Sequence, residues 1–193
     1  MNGLQNFRLI NHKENSMIKD SLLKYSPNFP SVLEELNYHL FILLNDFSSN
    51  NDFPLIYLVP STLINTLSSF NSDINIISSG IYFGFIKKNK FYLSIEGAEF
   101  LHTKKCFSKR FYVKVDSLGE KSILYGNNVK NEQIIEISKE LTKNDLLIVT
   151  NQSNELIALA QLKANYKNFQ NLKPKDIIAL NLVDKGSYLR KKQ

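Results

Sequence analysis

The sequence predicts two unlike halves: an α+β domain with helices on an antiparallel sheet, then an all-β pseudo-barrel with short helices. Three observations carry this. First, short runs of Val, Ile, Leu and aromatic residues recur after residue 109, at 111–115, 123–129, 144–149, 157–162 and 177–182, before an ending at 185–192. Asn, Asp, Gly and Pro punctuate them, as turns require. Runs this short and numerous suit a small closed or nearly closed barrel rather than βαβ units. Second, helical and strand patterns are mixed before residue 105, as in helices segregated to one sheet. Third, the charge is one-sided. The first 105 residues hold nine basic and nine acidic side chains, whereas 106–193 hold fifteen basic and nine acidic. The whole net charge of +6 therefore sits on the second half, a division of labour between a neutral and a basic domain. The expected domains are 1–105 and 106–193.

The elements follow in order. Residues 1–13 show no pattern and read as a loose arm. Met17, Ile18, Leu22 and Tyr25 have helical spacing, so a helix is expected over 14–25. Pro27 and Pro30 break it. Ser31 and Glu34 then fit a capping box, which starts a second helix at Ser31. Residues 40–44 either continue that helix or form a buried strand, and periodicity does not choose. Residues 55–59 read as a strand. Ser61 is the expected N-cap of a helix with Leu63, Ile64, Leu67 and Phe70 as its apolar stripe. Ile76–Ile77 and 81–86 read as strand, with a bend or bulge at Ser79 and Gly80. Residues 87–90 make a hairpin turn, 91–93 return antiparallel, and Ser94 caps a helix through Leu101. The basic, aperiodic stretch 102–110 is the expected boundary.

Catalytic patterns are mostly rejected. The seven glycines are dispersed, so neither a P-loop nor a dinucleotide fingerprint exists. His12, His39 and His102 have no ligand spacing, and one cysteine excludes an internal disulfide and a cysteine-based metal site. Cys106, among Lys104, Lys105 and Lys109, is read as a surface thiol whose pKa those lysines would lower. Asp116 and Asp145 read as turn formers. No cofactor, metal or catalytic residue is expected. No run approaches the roughly 20 apolar residues of a membrane helix, and the N-terminus lacks a signal-peptide core; a soluble intracellular protein is expected.

Binding patterns are stronger. Basic and aromatic residues cluster three times: Lys104, Lys105, Lys109 and Arg110 with Phe107, Phe111 and Tyr112; Lys163, Lys167 and Lys173 with Tyr166 and Phe169; and Lys185, Arg190, Lys191 and Lys192 with Tyr188. Ammonium groups attract phosphates regardless of sequence, and rings offer stacking faces to unpaired bases. Gly126, in Tyr125-Gly-Asn-Asn128, allows close backbone approach. A single lysine reads as solvated surface; the clusters together with the charge split read as a nucleic-acid face.

These residues resemble a known family. The run into Leu124-Tyr-Gly126, the strand at 144–149, the strand at 157–162 and the ending Asp184-Lys-Gly-Ser-Tyr-Leu-Arg190 resemble a PUA domain. With 79–86, 90–93 and 111–128, the chain is similar to the two-domain PUA proteins that act in large ribosomal subunit assembly. The resemblance covers about 52–192. It implies a C-terminal PUA domain binding uridine-rich or structured ribosomal RNA, an N-terminal domain that docks assembly-factor proteins of the pre-ribosomal particle, a monomer, and no catalysis. It favours reading 40–44 as a strand paired with 55–59. Lys163 and Lys167 fall where the family places basic RNA contacts, Arg190 matches its near-terminal arginine, and Gly126 the glycine near its RNA surface. The expected RNA-binding set is Tyr125, Gly126, Lys163, Tyr166, Lys167, Tyr188, Arg190 and Lys191. Two departures stand out. The loop 163–173 has lysines where arginines are common, which keeps charge but loses the planar fork. Asn144 replaces a glycine at a turn. The implied compartment is cytoplasm, or nucleolus in a eukaryote. The rival readings are an RNA-modifying enzyme or its subunit, for which a hundred-residue α/β domain is small, and a protein-interaction module meeting acidic partners.

Overall fold

The computed structural model describes residues 6–44, 53–69 and 76–190. It divides into two compact units, Met1–Cys106 and Phe107–Gln193.

In the first unit residues 6–13 are not a loose arm, and residues 1–5 lie outside the described residues. Strand β1, Phe7–Leu9, pairs antiparallel with β2, Tyr38–Leu43. Helix α1 spans His12–Leu22 and starts two residues earlier than its apolar spacing suggests. The reason is a capping box. The Asn11 side chain accepts from the Glu14 N–H at 2.9 Å, and the Glu14 carboxylate accepts from the Asn11 N–H at 2.7 Å. Arg8 closes the group with two N–H donors on Glu14, at 2.7 and 3.0 Å. The box thus ties strand to helix.

Helix α2, Phe29–Glu35, also starts earlier than expected. Pro30 lies in its first turn, where a missing N–H is no loss. Ser31 does not cap; its hydroxyl donates to the Asn28 carbonyl at 2.8 Å. Asn37, at φ 54°, then turns the chain left-handed, which a continuing helix cannot accommodate. That residue decides the ambiguous 40–44 in favour of strand. β2 pairs antiparallel along its length with β3, Leu55–Pro60. In helix α3, Ser61–Ser68, Ser61 is likewise not the cap. Its hydroxyl donates to the Asn37 carbonyl at 3.0 Å and lies 2.9 Å from His39 Nε2. Phe70 of the expected stripe lies outside the described residues. Ile76 and Ile77 are not strand: Ile76 is buried and Ile77 is 79% exposed.

β4, Ile81–Lys87, and β5, Lys90–Leu93, form the expected hairpin. Its central residues Lys88 and Asn89 have φ 48° and 59°, the primed turn that matches strand twist. Ser94 caps α4, Ile95–Thr103, by accepting from the Gly97 N–H at 3.0 Å. The sheet order is β1-β2-β3-β4-β5. A core of Phe7, Phe41, Leu43, Tyr57, Val59 and Ile76 takes in Ile64 and Leu67 of α3. Ile18 and Leu22 of α1 and Ala98 and Leu101 of α4 are also buried. Cys106 is buried rather than a surface thiol, at 1% exposure. Burial pushes its pKa up against the smaller opposite pull of Lys104, so the thiol is the reverse of activated.

The second unit opens with a 3₁₀ turn at Lys109–Phe111 and β6, Tyr112–Val115. The following run is not a strand into Gly126. Asp116 accepts from the Gly119 N–H at 2.7 Å and caps helix α5, Ser117–Leu124, in which Ile123 is buried. β7 is Val129–Lys130, and β8, Ile134–Ile137, is a strand that the sequence reading passes over. β9, Leu146–Thr150, β10, Leu156–Leu162, and β11, Ile177–Asp184, sit at the expected runs. The ending is a turn and a short helix, α6, Ser187–Arg190. Asn144 adopts φ 70° and so keeps the turn that a glycine would supply. The order β7-β11-β10-β9-β6-β8 is antiparallel except for β6 beside β9, where Tyr112 faces Ile148. The result is a nearly closed barrel whose centre is β10, buried at every position but Gln161.

Asn11→Ala is expected to destabilise the chain by about 1 kcal/mol in urea unfolding. At Glu14, burial pushes the carboxyl pKa up, but Arg8 and the Asn11 N–H outweigh it and the folded value lies below 4.5. A depressed folded value gives stabilisation that is present above the unfolded value and lost as pH falls through the folded one. The stability gap between the wild type and Glu14→Gln should therefore be full above the unfolded carboxyl value of about 4.3 and narrow as pH falls through the lower folded value.

Candidate nucleic-acid interface

The expected RNA-binding residues fall into two groups at opposite ends of the β10–β11 ladder. At one end the Lys185 N–H donates to the Ile157 carbonyl; at the other the Lys163 N–H donates to the Ile178 carbonyl. Ile157 and Lys163 are six steps apart along the chain, about 20 Å of rise.

The first group is built on Asp184, which is 3% exposed. A buried carboxylate must be paired. Arg190 donates to both its oxygens, at 3.0 and 2.8 Å, and also to the Leu124 carbonyl. Asn181 completes the cluster. Its amide nitrogen lies 3.0 Å from Asp184 Oδ2 and 3.2 Å from the carbonyls of both Ile123 and Asn127, while its backbone N–H donates to Asn128 Oδ1 at 3.0 Å. The loop 125–128 is thus pinned to β11. Gly126 has φ 89°, and a Cβ there would lie 3.2 Å from the Arg190 guanidinium. The positive φ favours glycine here, and a side chain would also crowd Arg190. The hydrogen bonds to Asp184 raise the Arg190 pKa further, against a small opposing effect of burial. Tyr125, 78% exposed, and Tyr188, 52% exposed, stand on this frame facing solvent. Lys191 and Lys192 lie outside the described residues. Sequence reasoning missed the framework role of Asp184 and Asn181; the signal was an acid six residues before an arginine, with Gly186 between.

The second group is built on the loop after β10. Tyr166–Asn171 forms a 3₁₀ turn. The Tyr166 N–H donates to the Leu141 carbonyl at 3.2 Å, and Asn165 Oδ1 accepts from the Lys143 N–H at 2.8 Å. The Glu132 N–H donates to the Pro174 carbonyl at 2.8 Å. These bonds lay the loop against 131–143. Lys163 and Lys167 are exposed, as are Lys143, Lys173 and Lys175. Tyr166 meets Phe169 with ring centroids 5.2 Å apart. The remaining cluster, around residues 104–112, offers less: Phe107 and Phe111 are buried, and Arg110 lies over the Phe111 ring at 4.6 Å. These two rings are core.

Among the described residues there is no group of three or more His, Cys, Asp or Glu placed to hold a metal ion, and no helix long and apolar enough to cross a membrane.

Two family models match the chain: the NIP7/UPF0113 pre-PUA domain over residues 7–95, and the UPF0113 PUA domain over residues 111–193. The chain belongs to the NIP7/UPF0113 family. A 60S ribosome subunit biogenesis protein nip7 from Schizosaccharomyces pombe is 28% identical over 60% of this chain and 63% of its own length. A UPF0113 protein from Archaeoglobus fulgidus is 26% identical over 61% of this chain and 64% of its own length. The matched segments therefore span just under two thirds of these relatives. A conserved PUA domain protein from Thermoplasma acidophilum superposes with TM-score 0.63 at 15% identity, covering 96% of this chain and 98% of that one. The fold class read from the sequence, an α+β domain followed by a PUA near-barrel, is the family's.

A methyl on Gly186 would run into the Leu124 carbonyl and the Arg190 guanidinium. Gly186→Ala should cost about 1–3 kcal/mol and lower Tm by roughly 2–4 °C per kcal/mol. Arg190→Lys, which keeps the charge without the fork, should lower Tm in the same direction. In a separate measurement, a thiol reagent should label Cys106 in the native chain at least about tenfold more slowly than in urea.

Proposed function

We propose that this chain is a non-catalytic RNA-binding factor in ribosome biogenesis, holding large-subunit ribosomal RNA through its PUA unit. The observation that carries the reading is the second group of residues. The half of the chain with all the net positive charge also presents exposed lysines on a loop hydrogen-bonded to the barrel. Such a loop attracts phosphates and holds its register on them. The family membership and the name of the fission-yeast relative support the biological setting.

In this reading Lys163, Lys167 and Tyr166 contact RNA directly. Arg190 and Gly126 act differently. They hold the loop that presents Tyr125 to the helix that presents Tyr188, and the Arg190 charge is already met by Asp184. The neutral N-terminal unit, with no net charge of its own to attract phosphates, serves pre-ribosomal protein partners. The chain works as a monomer, in the cytoplasm or, in a eukaryote, the nucleolus.

The test is a salt titration of RNA binding by the full chain. Lys163→Ala/Lys167→Ala should weaken binding and make the slope against log salt shallower by up to about 2. Arg190→Ala should change that slope less. Unchanged affinity and slope in the lysine pair would remove this site.

A further inference from the structure

Beside the lysine loop lies a cleft of about 280 Å³, lined by Asn131, Ile134, Ile135, Ile137, Tyr166 and Phe169. One wall is β8, the edge strand of its sheet. Ile135 is 52% exposed there, an apolar side chain left open at a barrel rim. The other wall is the Tyr166–Phe169 ring pair. Asn131 adds a carboxamide, whose nitrogen lies 3.4 Å from the Leu172 carbonyl.

We propose that this cleft receives one unpaired nucleobase of a single-stranded RNA whose phosphates run along Lys163 and Lys167. The inference deepens the RNA-binding reading and rests on it. The cleft lies just below the roughly 300–1,000 Å³ of sites that enclose a whole small ligand; it suits a planar group with the rest of the molecule outside. Aromatic and branched aliphatic walls stack on either face of any base, and a carboxamide offers both a donor and an acceptor to a base edge. Charge sets the strand's path. The side bearing Tyr166 and Phe169 carries Lys163 and Lys167, and Lys143 lies on the segment bonded to it. The β8 side carries the exposed acids Glu132, Glu136 and Glu140 with one exposed lysine, Lys139, among them, so it stays net acidic. A phosphate chain follows the first side and avoids the second, which leaves the bases pointing into the cleft. A paired base cannot enter, because its edge and both faces are occupied in the duplex.

The sequence contains no tryptophan, so Phe169→Trp places a single indole in the cleft against no background. The variant is titrated with a short oligoribonucleotide, single-stranded or annealed to its complement, while anisotropy reports total binding. Indole emission should fall by about half or more over the concentrations at which the single strand binds, and should hold steady with the duplex. Phe169→Ala should weaken single-strand binding by about tenfold without the change in salt slope that marks loss of a lysine. Single-strand binding with unchanged emission would overturn the cleft assignment and leave RNA binding standing, as would quenching by duplex equal to that by single strand. Failure of the wild-type chain to bind RNA at low salt would overturn both.

Discussion

The C-terminal unit is arranged around a carboxylate almost wholly withdrawn from water. Asp184 ends the last strand and is buried, so its charge must be answered inside the protein. The answer recruits residues from three places: Arg190 from α6, Asn181 from the same strand, and the end of α5 with the loop after it through the carbonyls of Leu124 and Asn127. Two glycines follow from it. Gly186 leaves room for the Leu124 carbonyl and Gly126 for the guanidinium. The fork is therefore a clasp joining the chain's last helix to the first helix of the barrel, and the exposed tyrosines ride on it.

Much of the fold was legible because strands here are dense in β-branched residues and bounded by turn formers. The hairpin at Lys88 and Asn89, the Ser94 cap and the strands β9, β10 and β11 follow from local chemistry. The misreadings have specific causes. Ser31 and Ser61 stand where a capping acceptor belongs, but a hydroxyl also donates, and both give their proton to carbonyls instead. The true box at Asn11 and Glu14 has the same spacing, but Arg8, which closes it, sits on a strand whose partner is the distant β2. Helix α5 is short and ends in Ile123-Leu124, which looks like a strand's start unless Asp116 is recognised as a cap. β8 is only four residues long, three isoleucines around a glutamate at a barrel edge, too short a pattern to stand out.

The candidate site was legible in composition and opaque in arrangement. Charge and aromatic content located both groups of residues. They did not show that β10 and β11 hold them about 20 Å apart, nor that Arg190 is already engaged. Cys106 failed in the same way. Its lysine neighbours along the chain suggested an activated thiol, but burial is a property of packing and outweighs them.

The parallel seam between β6 and β9 has a consequence for how the barrel is made. Tyr112 must meet Ile148, and Val129 must wait for Ala179; neither pairing forms between neighbours in the chain. Closing such loops before any contact rewards them is slow. During synthesis the first unit has all its strands long before β11 emerges, while β7 keeps an open edge. A finished, neutral domain then leads a basic one whose sheet is incomplete. The order of emergence leaves a window in which that edge is exposed to aggregation, and β11 closes it.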